Sequence, residues 1–248
     1  MIGANKICNS ILLTCTRLMF DIAANYQGVM ENIRAAAKRC GKEPHEIKLL
    51  AASKSQDIAK MRAAAKAGIR LFGENYVQEA KIKRGAIEEP VEWHMIGHLQ
   101  RNKVKAALDL FDLIESLDSL ELARELDREG KKRGQRVRTF VEVNLGGEES
   151  KTGIVKENVA SILQEVGSLS HLSVEGLMTI PPLRENAEDM RPYFRALRDL
   201  QMELRGLKIP NVDLKELSMG MTHDYPMAIE EGATLVRIGT AIFGPRSK

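Results

Sequence analysis

Cysteine is scarce in this 248-residue chain: Cys8, Cys15 and Cys40, an odd number with no C-x-x-C spacing. That excludes a disulfide framework and predicts a reducing, cytoplasmic setting. Aromatic residues make up only 4 %, too few for base stacking to be a theme. Charge of one sign is lacking as well: the net charge is +3, and the basic residues are spread without a stripe. Nucleic acid is therefore not expected as a partner. No run of about 18 apolar residues occurs, which removes a membrane-spanning helix and a membrane partner. The sequence also has no H-E-x-x-H metal motif, no G-x-G-x-x-G after its first strand and no legible Ser-His-Asp arrangement.

What is present suits a globular domain: 44 % hydrophobic and 29 % charged residues. A chain of this length can bury a core without disulfides or metals, as one barrel-sized domain or two small ones. Residues 1–18 stand apart. Ile7–Leu18 is mildly apolar, but one lysine precedes it and no small-residue cleavage site follows, which argues against a signal peptide. Two readings stay open: a dispensable extension from an upstream start, with Met19 as the functional beginning, or a disordered tail. Residues 19–248 are then the functional domain.

Short apolar runs alternate with amphipathic stretches. Ile22, Tyr26, Val29, Ile33 and Ala37 fall at helical spacing within Asp21–Cys40, and Gly41 can close that helix. Strands are predicted at Ile47–Ala52, Arg70–Phe72, Trp93–Ile96, Leu113–Ser116, Val137–Leu145, Val174–Ile180, Leu214–Leu217 and Thr234–Ile238. Helices are predicted over Asp57–Ala67, from Gln100, and over Ser119–Arg133, Val155–Val166, Ala187–Arg205 and Asp224–Glu231. Eight strands with helical crossovers fit a single parallel (β/α)₈ barrel of the TIM type. Only about ten residues follow the last strand, so no final helix is expected there, and the N-terminal helix covers the gap. A doubly wound open sheet is the competing architecture.

A parallel barrel carries its chemistry at the carboxyl ends of its strands. The last two strand ends hold Ser218, Gly220, Gly239 and Thr240, small residues and hydroxyls suited to a phosphate; the competing reading is that both glycines only make turns. Lys54 follows the apolar run Leu49–Ala52, where a partly desolvated amine can attack an aldehyde; most strand-end lysines are merely solvated. Phosphate site and amine together make a pyridoxal phosphate layout. Arg237 lies two residues before Gly239 and so shares its facing. It would keep a pyridine nitrogen unprotonated, or else pair with Glu142 or Glu216. His94 and His98 lie on or beside a strand and do not suggest a metal; His45, His171 and His223 read as loop or surface positions, and Met219, Met221 and Met227 as packing.

Seven segments resemble the pyridoxal phosphate homeostasis protein family. They are Ala51–Lys54, Phe72–Tyr76, Trp93–Gln100, Ser150–Gly153, Gly176–Pro181, Leu217–Met221 and Val236–Gly244, in order across roughly residues 20 to 246. The resemblance implies a barrel like that of alanine racemase and pyridoxal 5′-phosphate held as an internal aldimine on Lys54. It also implies that Arg237 faces the pyridine nitrogen, that Asn75 lies near the cofactor, and that Ser218, Gly220, Gly239 and Thr240 bind the phosphate. The family binds the cofactor and balances vitamin B6 and amino-acid pools, with no established reaction. The extension at residues 1–18 departs from its pattern. Pro226 does too, but a proline in a first helical turn is harmless.

Three functions follow for comparison. A carrier binds the cofactor reversibly and passes it to pyridoxal phosphate-dependent apoenzymes, working as a monomer with no catalytic residues and no metal. An amino-acid racemase needs an acid/base group on each face of the substrate carbon. In alanine racemase the second group comes from a β-domain of the partner subunit, and this chain ends at Lys248, directly after the barrel. A Schiff-base aldolase usually carries its lysine on a later strand. The carrier reading is preferred.

Overall fold

The computed structural model describes residues 21–147, 152–182 and 184–245. Residues 1–20, with Cys8, Cys15 and the N-terminal extension, lie outside them, as do Ser150 and Lys151. Among the described residues nine strands run in chain order: β1 (Lys48–Ala52), β2 (Leu71–Glu74), β3 (Glu92–Met95), β4 (Leu113–Leu117), β5 (Val137–Asn144), β6 (Ile154–Val155), β7 (Leu172–Met178), β8 (Val212–Ser218) and β9 (Leu235–Ile238). Every pairing is parallel. β1 pairs with both β2 and β9, and β4 with both β3 and β5, so eight strands close into a ring; β6 hangs from β5 alone. The expected barrel is therefore observed, and the open sheet is not.

The helices are α1 (Ile22–Arg39), α2 (Ile58–Lys66), α3 (Val77–Arg84), α4 (Val104–Ala107), α5 (Leu120–Arg133), α6 (Lys156–Val166), α7 (Arg191–Gly206), α8 (Tyr225–Glu230) and α9 (Thr240–Phe243). Their starts follow from side-chain acceptors: Asp21 takes the Ala24 amide, Asp57 that of Lys60 and Ser119 that of Leu122. Gly41 and Gly134 stand in left-handed conformations just past α1 and α5. One expectation is corrected: a single helical turn, α9, does form after the last strand. Four residues suffice for it, and Asn25 of α1 donates to the Ile242 carbonyl at 3.0 Å, so α1 and α9 close that side together.

Two apolar cores result. The larger lies between strands and helices and includes Ile33, Met61, Phe72, Trp93, Phe194 and Phe243. The Phe72 and Trp93 rings stack there with centroids 5.6 Å apart. The smaller fills the barrel with Leu50, Leu71, Ile96, Leu113, Phe140, Met178 and Leu235. Side chains alternate along a strand, so Glu115 shares the interior with Leu113, and Arg237 shares it with Leu235. The barrel interior thus holds an apolar cluster beside buried charged side chains.

Candidate functional site

The turn carrying Lys54 follows β1 and is held from both sides. Ser53 is buried; its hydroxyl donates to Glu74 Oε1 at 2.6 Å, and its amide to the Gly73 carbonyl at 2.9 Å. Ser55 has φ of +61°, a left-handed conformation that costs a non-glycine residue about 1 kcal/mol. Its amide donates to Glu79 Oε2 at 2.9 Å, which offsets that cost. Lys83 of α3 ties the two sides together, donating to the Ser53 carbonyl (2.8 Å), Glu74 Oε1 (2.8 Å) and Glu79 Oε2 (2.7 Å). Burial pushes the Glu74 carboxyl above its ordinary range, against the bonds from Lys83 and Ser53. Burial would also raise Glu79, but Lys83, the Ser55 amide and the nearby Lys54 charge hold it low.

Arg237 is buried on β9. Its guanidinium donates to Ser218 Oγ at 2.6 Å and to the Thr179 carbonyl at 2.7 Å. Burial pushes its pKa down, opposed by the charges of Glu115, Glu142 and Asp224. The pairing with Glu142 or Glu216 does not occur. Glu216 takes Lys48 and Thr234, and Glu142 takes Thr152. Asp224 accepts the Met221 amide at 2.6 Å and so closes the loop that presents Thr222 and His223.

A cavity of about 240 Å³ at the barrel mouth is lined by Lys54, Asn75, Arg237, Gly239 and Thr240, with Thr222 and His223 from the loop after β8. Ile96, Ile180 and Met221 supply apolar wall. Asn75 Oδ1 is buried without a hydrogen-bond partner. A wider groove of about 420 Å³ shares Asn75 but meets neither Lys54 nor Arg237.

Five residues expected at the site thus come together. Ser218 and Gly220 are not in the lining. The Ser218 hydroxyl is spent beneath it on Arg237 and Glu115. Gly220 is required for packing: its φ is +90°, and an added Cβ would lie 2.5 Å from that of Ala228. Thr222, His223 and Met221 take their place, although His223 and Met221 read from sequence as surface and packing residues. Lys83 and Glu79 went unforeseen; their i,i+4 spacing was the available signal.

At the opposite end of the interior, His94 lies between Glu115 Oε1 (2.6 Å) and Glu92 Oε1 (3.2 Å). Burial would lower the His94 pKa, but these two carboxylates raise it. His94 and Arg138 pull Glu92 down to about 2. A depressed carboxylate stabilises the fold above its unfolded value near 4.5 and loses that contribution as pH falls toward 2. His94, being raised, contributes below about 6.5 and loses its contribution as pH climbs through the folded value. Glu92→Gln should therefore flatten the fall in urea midpoint between pH 4.5 and 2; an unchanged acid limb would show that this pair contributes nothing.

A sequence profile described as "Alanine racemase, N-terminal domain" matches residues 25–247. The chain is 46 % identical over 219 residues to the pyridoxal phosphate homeostasis protein of Aquifex aeolicus, covering 88 % of this chain and 95 % of that one. It is 39 % identical over 232 residues to the protein of that name from Escherichia coli, covering 92 % and 98 %. Among solved structures, PipY of Synechococcus elongatus with PLP bound superposes with a TM-score of 0.76 at 37 % identity, covering 86 % of this chain and 99 % of that one. Alanine racemase of Clostridium difficile superposes with a TM-score of 0.69 at 13 % identity, covering 92 % of this chain and 56 % of that one, a likeness of fold alone.

Proposed function

This chain belongs to the pyridoxal phosphate homeostasis protein family, and we propose that it holds pyridoxal 5′-phosphate as a Schiff base on Lys54. The observation that carries the proposal is the convergence of the Lys54 turn and Arg237 on one small cavity. Its volume of about 240 Å³ falls below the roughly 300–1,000 Å³ of drug-sized sites, which suits a single small ring with a short tail. The residues fit the group. Gly239 and Thr240 bring backbone close to the cavity, and Thr222 and Thr240 offer hydroxyls to a phosphate. Arg237 can donate but never accept, so it suits a ring nitrogen that stays unprotonated. Asn75 has an acceptor still to be satisfied.

The cofactor supplies an aldehyde that condenses with primary amines. Lys54 forms the C–N bond through its neutral amine, and the aldehyde oxygen leaves as water. Water reverses the bond, so the protein can release what it binds. Cofactor binding is assigned to Lys54, Asn75, Arg237, Gly239 and Thr240, with Thr222 added. Ser218 acts through Arg237, and Gly220 shapes the loop.

The biological role is buffering of the cofactor and of amino-acid pools rather than turnover. Residues 19–248 serve as one cytoplasmic, monomeric barrel that passes the cofactor to apoenzymes. Among the described residues, no helix is long and apolar enough to cross a membrane. The enzymes of the same fold share only 13 % identity with this chain at the alanine racemase comparison, so they lend no activity to it. Racemisation assays on a panel of amino acids with cofactor-loaded protein should show no Lys54-dependent turnover. Robust turnover lost in Lys54→Ala would make the protein a racemase.

A further inference from the structure

Beneath the cavity, hydrogen-bond directions are fixed by chemistry. A guanidinium only donates, so Ser218 Oγ accepts from Arg237 at 2.6 Å and must send its one proton elsewhere. It goes to Glu115 Oε2, 2.5 Å away. The other Glu115 oxygen faces His94 Nδ1 at 2.6 Å, and His94 Nε2 faces Glu92. Both ring nitrogens meet carboxylate oxygens, so His94 donates twice and is a cation. The raised His94 pKa agrees. A line of alternating charge thus runs from partly exposed Glu92 through buried His94, Glu115 and Ser218 to Arg237 at the cavity wall.

We infer that Glu115, acting through Ser218, is the positioning residue that orients Arg237 against the cofactor and balances its charge. Among the described residues it is the one carboxylate tied to Arg237 by a chain of side-chain hydrogen bonds. Glu142 and Asp224 act on Arg237 by charge alone. Glu115 is held in turn by His94, so its carboxylate cannot swing away. A core lined by Leu113, Phe140 and Leu235 does not need this ion line for packing. A buried ion line is a poor source of stability but fixes the geometry of a donor well.

The inference rests on the cofactor reading above, and two variants separate the two. Glu115→Gln keeps the shape and removes the charge. Ser218→Ala keeps every charge and cuts the link. Borohydride labelling of Lys54 tests the cofactor reading alone and should persist in both. Pyridoxal phosphate affinity, followed by absorbance titration, should fall about tenfold in each variant. The double variant should lose little more than either single one, as for residues acting through one another. The pH midpoint of the cofactor band should drop by about one unit in Glu115→Gln, because a lost negative charge favours the deprotonated imine. The midpoint should stay put in Ser218→Ala. Groups facing Arg237 and the cavity, namely Glu142, Asp224, His223 and Lys54, are unchanged in both. If both variants label at Lys54 with wild-type affinity and midpoint, the positioning role is refuted. If Glu115→Gln does not fold, the affinity of Ser218→Ala decides. If no protein labels, wild type included, the cofactor reading fails first.

Discussion

Lys54→Ala should abolish the visible band of the cofactor-loaded protein and all borohydride-fixed label. Lys54 is the lysine whose turn lines the cavity, and a Schiff base requires a primary amine. Thr222, Gly239, Thr240 and Arg237, which line the same cavity, are untouched by the change, so under the proposed cofactor site weak non-covalent binding should remain. The loss should be near complete in absorbance and partial in affinity. A half-buried side chain is removed from a turn whose backbone is held through Ser53 and Ser55, so stability should change by about 1 kcal/mol or less. Near-ultraviolet circular dichroism and the urea midpoint check that the barrel is intact. A persistent band of wild-type intensity would place the amine elsewhere.

Lys83→Met should cost about 3 kcal/mol of stability and loosen the Lys54 turn at the same time. Lys83 and Glu74 are both buried, with side-chain exposures of 7 % and 0 %. Removing one partner of a buried pair typically costs about 3–5 kcal/mol, because the other charge is stranded. Methionine keeps the apolar stem, so the loss reports the charge. Burial already raises the Glu74 pKa, and protonation relieves part of the penalty, which favours the lower end. For a domain of this size each kcal/mol shifts Tm by roughly 2–4 °C, so a drop of roughly 10 °C is expected. Guanidinium unfolding with an unchanged slope measures it. Adding Glu74→Gln should restore more than half of the loss. A loss under about 1 kcal/mol from the single change would show that α3 does not brace the site.

The contrast between these residues shows what a sequence discloses. Leu49–Ala52 is a continuous apolar run just before Ser53 and Lys54, and Leu235–Ile238 is apolar but for Arg237 and leads into Gly239. A strand buried on both faces has to look like that, and its carboxyl end is the place to look for chemistry. Arg237 and Gly239 share a facing by simple alternation. α3 has no clear apolar face in the sequence: of its eight residues only Val77, Ala80 and Ile82 are apolar, and Ile82 points to solvent while Lys83 is buried. The burial of Lys83 depends on Glu74, a residue of another element, and no local pattern records that pairing. Ser218 ends β8 and Thr222 lies four residues on, in the loop after it, and both carry hydroxyls. Which one faces the cavity is decided by Arg237 and Asp224, each drawing a neighbouring group to itself. The Glu92–His94–Glu115 line joins adjacent strands β3 and β4, and its direction emerges only once their register is known.

The most direct measurement is intact-mass spectrometry of the cofactor-loaded protein before and after borohydride, followed by peptide mapping. A Schiff base at Lys54 predicts one added cofactor less one water, made permanent by reduction, on the peptide carrying Lys54. Label on another lysine, or a mass unchanged by reduction, would contradict it.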